Sequence, residues 1–157
     1  MIKPEPRILT VAVFTALMSL FLFAPKASAL NDCKNVHGVM RITNNLDGTT
    51  SGTISKSGRL DGSTQSMFTS GFTPTPEPLT FSFTDDLSVI TSEGILVTHN
   101  VGIFDTAHGL FTAINRIDPN LSSGEFAAAT GVLYVNGSTA DGINLRAALT
   151  GSVCFAD

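Results

Sequence analysis

At 157 residues the chain holds one domain, and thirteen acidic against nine basic residues give a net charge of −4. With no basic cluster, nucleic acid and anionic membrane surfaces are poor candidates as partners, because both need concentrated positive charge. No segment carries an apolar 3.6-residue period of useful length, which excludes a helical bundle.

The N-terminus reads as an export signal. Lys3 and Arg7 precede an apolar run from Ile8 to Ala24, followed by Pro25, Lys26 and the small-residue site Ala27-Ser28-Ala29. Cleavage is expected after Ala29, dividing the chain into a signal peptide (1–29) and a domain (30–157). The alternative is an uncleaved anchor, since the run is only just long enough to span a bilayer. The mature chain keeps six basic and twelve acidic residues, a net charge of −6. A secreted or periplasmic protein is expected, with no membrane association after cleavage.

Two cysteines remain, Cys33 and Cys154, one near each end of the mature chain. In an exported protein this pair predicts a disulfide that ties the ends together. The alternative, two free thiols with a redox role, finds no Cys-x-x-Cys motif to support it.

After the signal, turn-forming pairs recur at short intervals: Asp47-Gly48, Asp61-Gly62, Glu93-Gly94, Asn136-Gly137 and Asp141-Gly142. Between them lie runs rich in Thr, Val, Ile and Phe, the pattern of an antiparallel all-β domain. About eight strands are predicted, over 36–44, 49–60, 63–72, 79–92, 95–105, 109–117, 125–136 and 143–155. On the first, Val36, Gly38, Met40 and Ile42 form the apolar face. On the last, Ile143, Leu145, Ala147, Leu149, Gly151, Val153 and Phe155 do so. Both cysteines then fall on the outer face. Neighbouring first and last strands would close the sheet into a single antiparallel β-barrel, which removes exposed edges. The prolines of Thr73-Pro74-Thr75-Pro76-Glu77-Pro78 predict a stiff crossover or a lid over one mouth, and the loop from Asp118 to Ser123 is a second long connection.

Alternation also selects candidate interior residues. Leu79, Phe81 and Phe83 share one face, and Ile95, Val97, His99, Val101 and Ile103 share another. Read as inward, these place the His99 imidazole among apolar walls, where burial lowers its pKa and suits it to general-base work. The alternative is a core histidine satisfied by a hydroxyl or a carbonyl. Tyr134, the single tyrosine, offers a cavity hydrogen bond if Phe126, Ala128, Thr130 and Val132 face inward; if Ala127, Ala129, Leu133 and Val135 do, it covers the wall. The candidate catalytic pair is therefore His99 and Tyr134, and the candidate ligand-binding set is His99, Val97, Val101, Phe81 and Phe83. Asp105 and His108 flank a turn. They do not form a metal site with His99, because six residues of strand span about 20 Å. Glu125 reads as a rim residue, Arg116 as an exposed strand end and His37 as a polar-face residue. With no Ser-His-Asp arrangement, phosphate loop or Cys/His cluster, neither metal nor cofactor is expected.

The segment Gly124, Phe126, Ala127, Ala129, Thr130, Gly131 and Leu133, with the signal and the strand count, resembles small secreted barrels related to the allene oxide cyclase and dirigent proteins. The resemblance covers mainly residues 95–155. It implies an eight-stranded barrel whose cavity binds hydrophobic small molecules, with some members steering cyclisation or radical coupling. No residue matches the catalytic set of the plant cyclases, and none is carried over. The expected function is binding of a lipophilic small molecule. The alternatives are a cofactor-free cyclase or isomerase acting on a hydrophobic substrate, and a solid-core structural or interaction module.

Overall fold

A computed structural model describes residues 32–156; the expected signal peptide lies outside the described residues. The strands, in chain order, are β1 (Asp32–Asn44), β2 (Thr49–Ser55), β3 (Gly62–Phe68), β4 (Thr73–Pro74), β5 (Thr80–Ile90), β6 (Gly94–Asp105), β7 (Leu110–Ile117), β8 (Ser123–Gly124), β9 (Thr130–Thr139) and β10 (Asn144–Phe155). Eight of them form a closed antiparallel meander, β1-β2-β3-β5-β6-β7-β9-β10 and back to β1, as expected. The two-residue strands stand outside the ring, β4 against β5 and β8 against β6.

Closure runs through the β1–β10 ladder, in which Cys33 lies opposite Cys154 and the two form the disulfide. The interior faces of β1 and β10 follow the predicted alternation, with Val36, Met40, Ala147, Leu149 and Val153 all buried.

Short polar side chains fix the hairpin turns together with the positive-φ glycines Gly48, Gly94, Gly109 and Gly142. Asp47 accepts from the Thr49 amide at 2.9 Å, Thr91 Oγ1 accepts from the amides of Glu93 (3.0 Å) and Gly94 (3.2 Å), and Asp105 Oδ1 accepts from Ala107 (2.9 Å). At the β9–β10 turn, Asp141 Oδ1 accepts from the amides of Ile143 (2.9 Å) and Asn144 (2.7 Å). Short Asp and Thr side chains stand in for missing ladder partners in this way. The donors hold the Asp141 carboxyl far below the usual carboxylate range, the Asn144 amide contributing most.

Two strand predictions need correction. The run 125–136 is not one strand. Turn hydrogen bonds from Phe126 N to Ser123 O (3.3 Å), Ala127 N to Gly124 O (3.1 Å) and Ala129 N to Phe126 O (3.0 Å) coil residues 125–129 before β9 begins. This coil carries Phe126 and Ala129 into full burial, which an extended strand would not. Nor is Asn136-Gly137 a turn. It lies inside β9, where the missing side chain of Gly137 makes room for the Phe111 ring and Ala147, both under 3 Å from where a Cβ would stand. Leu79, expected inside, is 60 % exposed at a positive φ of 59°, because β5 starts one residue later.

Alternate connections of a meander lie at alternate ends, and the two ends differ. The end that holds the disulfide also holds the 55–62, 90–94 and 117–130 connections. Leu60, Ile117, Phe126 and Ala129 are buried beside Val36 and Val153 and close it. Over this plug the Phe126 and Phe155 rings stand 6.1 Å apart, and Arg59 lies 4.9 Å above Phe155, with Glu125 at 3.3 Å. The opposite end stays open.

Candidate functional site

The open end leads into a cavity of about 110 Å³, lined by residues of β1, β2, β3, β5, β6, β7, β9 and β10. Phe68, Phe72, Phe83, Phe104 and Phe111 stand in its apolar wall. Phe68, Phe72 and Phe83 pack with ring centroids 5.3 to 5.6 Å apart, and Phe104 lies 6.2 Å from Phe72, in the tilted and edge-on arrangements that aromatic quadrupoles favour. Phe83 reaches inward because its partner on β6 is Gly102. A Cβ there would collide with the ring at 2.2 Å.

Below the phenylalanines runs a polar rung. Asp85, Asn100 and Asn115 lie directly opposite one another across β5, β6 and β7, all facing inward and all buried. Thr98 Oγ1 donates to Asn100 Oδ1 at 2.7 Å, which orients the amide, and Asn100 Nδ2 donates to Asp85 Oδ2 at 2.9 Å. Asn115 Nδ2 donates to the carbonyls of Ala113 (3.3 Å) and Leu133 (3.2 Å). Asp85 is only 7 % exposed. Burial pushes its carboxyl above the usual range, opposed by hydrogen bonds from Asn100 and Ser66 and reinforced by the neighbouring Asp86 charge.

The predicted site residues divide. Phe83 lines the cavity; Phe81 has the same parity, two residues along β5, but does not line it. His99, Val97 and Val101 do not face inward, and this expectation is corrected. The inward residues of β6 are Leu96, Thr98, Asn100 and Gly102, while Val101 is 61 % exposed. Choosing the more aliphatic face of β6 fails because this strand turns Thr98 and Asn100 inward with Leu96 and Phe104, and its Ile and Val outward. Tyr134 is likewise outside, 46 % exposed; Leu133 and Val135, on either side of it, are buried. It completes an outer apolar row with Ile114 and Val101, paired in register across β9, β7 and β6.

Outside the barrel, His99 sits between two acids. Its Nδ1 is 2.6 Å from Asp86 Oδ1 and its Nε2 is 2.9 Å from Asp118 Oδ2. Only the imidazolium donates to both. The hydrogen bond with Asp86, then that with Asp118, raises the His99 pKa above its ordinary value, the reverse of the lowering expected from burial, and the same contact lowers Asp118. Asp118 also ties down the connection after β7, accepting from the Asn120 amide at 2.7 Å. His108 pairs with Asp105 at 2.7 Å within its own turn. Glu125 and Arg116 are exposed, as is His37. Among the described residues no group of three or more His, Cys, Asp or Glu side chains is placed to hold a metal ion.

Residue-by-residue reasoning missed Asp85, Asn100 and Asn115. The signal for Asp85 was present: the alternation of Phe81 and Phe83 continues through Asp85, Leu87 and Val89. A hairpin through Glu93-Gly94 then sets β6, since the partners of Phe83 and Asp85 must share their side. No protein-family model, curated protein or solved structure matches this chain.

Proposed function

We propose that the protein binds a lipophilic small molecule inside the barrel, outside the cytoplasm. The observation that carries this is the phenylalanine-walled cavity, open at one end and plugged at the other. Its 110 Å³ approaches the roughly 150 Å³ at which an apolar protein cavity takes up benzene, and the open mouth lets a longer ligand project. Such a volume argues against the solid-core alternative. Export is supported by the order of residues 3–29 and by the disulfide, a bond that persists in oxidising compartments. Among the described residues no helix is long and apolar enough to cross a membrane. The resemblance to allene oxide cyclase and dirigent proteins points to the same use of a barrel.

Met40 lines the cavity, so a toluene titration followed by its methyl NMR signal tests the reading. A saturable shift is expected, abolished in Ala113→Phe, which fills the space. No shift in the wild type contradicts the proposal.

The second reading, a cofactor-free cyclase or isomerase, draws on Asp85 in place of His99 and Tyr134. A carboxylate whose pKa is raised by burial is a better proton acceptor than an ordinary one. Under that reading Asp85→Asn keeps toluene uptake and loses turnover.

A further inference from the structure

Asp85 is the one titratable side chain among the residues lining the cavity, and no Lys, Arg or His lines it with Asp85. Asp86 and His99, one residue along the same two strands, belong to the outer face and pair with each other there. The groups that meet the Asp85 carboxyl are donors. Asn100 presents its NH2, because the Thr98 hydroxyl occupies its carbonyl oxygen. Ser66, itself 2.9 Å from the Thr50 hydroxyl, lines the cavity with Asp85 and acts to lower its pKa. A carboxylate surrounded by donors acts as an acceptor, and what completes its remaining lone pairs is a further donor. A buried carboxylate with no cation beside it is also costly, and a cation supplied from outside removes that cost. The same cavity is lined by Phe68, Phe83 and Phe104, which supply apolar surface beside the carboxylate.

The geometry points to a cationic amphiphile as the ligand class: a small protonated amine that sets its ammonium on Asp85 and its apolar body among the phenylalanines toward the mouth. This rests on the reading of the barrel as a small-molecule container and adds the sign of the ligand's charge. The ammonium gains a charge-assisted hydrogen bond, whereas an anionic headgroup at the same depth meets Asp85 with like charge.

Calorimetry at pH 7 on the disulfide-intact protein, with benzylamine, benzyl alcohol and benzoate, tests this. The three share a ring and differ in head charge. Benzylamine is expected to bind at least about tenfold more tightly than benzyl alcohol, and benzoate not at all. Asp85→Asn should remove the advantage of benzylamine over the alcohol. A wild-type series stands independently of the variant: benzylamine affinity should fall as pH is lowered through the Asp85 pKa, and fall more steeply than that of the alcohol. Benzyl alcohol binding as well as benzylamine, or Asp85→Asn leaving benzylamine binding unchanged, overturns the proposal and leaves the container reading standing. If none of the three binds, both fall.

Discussion

Asp85 and His99 are neighbours in register terms, on opposite sides of one wall, and they respond to pH differently. Folding raises the Asp85 pKa above 3.8, so the stability associated with its neutral form is full below about pH 3.8 and is lost as pH rises through the folded value. Asp85→Asn removes that loss. Thermal melts should give the variant an advantage over wild type at pH 7 that shrinks toward pH 3.5; a constant difference would show that burial does not set the carboxyl's behaviour. His99 is also raised, above 6.5, so its ion pairs stabilise the fold fully below about pH 6.5 and fade as pH climbs through its folded value. The lowered Asp118 contributes above about pH 3.8 and is lost as pH falls through its own folded value. Melting curves of wild type and His99→Gln between pH 5.5 and 9 should therefore converge at the alkaline end; parallel profiles would contradict the imidazolium bridge. At this scale sequence reading was weakest. His99 looked interior because Ile95, Val97, Val101 and Ile103 share its parity, and apolarity alone does not choose a face when the inner one must supply Thr98 and Asn100.

Among the elements, the last two strands of the ring are shaped by glycine where nothing else fits. Gly131 (φ 140°) and Gly151 (φ 138°) sit on paired strands, and a Cβ at Gly131 would stand 2.2 Å from the Ser152 carbonyl oxygen. Gly131→Ala is expected to cost about 1–3 kcal/mol from backbone strain, with the clash in addition, measurable by urea denaturation. A change below about 0.5 kcal/mol would mean the bend is not needed. The disulfide joins residues 121 apart in sequence. On chain-entropy grounds its reduction should lower stability by as much as ~4–5 kcal/mol, read from the shift of the denaturation midpoint. Strands and closure were legible because alternation on β1 and β10 is unbroken and places both cysteines outward. The coil at 125–129 was not: Ala-rich sequence permits either conformation, and only the need to bury Phe126 at the barrel end decides between them.

The whole molecule is a barrel with two unlike halves, one packed solid beneath the disulfide and one left hollow under the opposite turns. The hollow depends on side chains that do not meet across the axis, a property no single strand reveals. That explains why the eight-stranded ring was readable from the chain while its cavity was not. The proposed role of this hollow half is to carry a lipophilic small molecule. Native mass spectrometry of the protein purified intact from its own host tests it most directly. The expected result is a population heavier by the mass of one lipophilic compound, released on unfolding and absent in Ala113→Phe. Protein that always travels at its bare mass, and stays so after incubation with toluene, would contradict it.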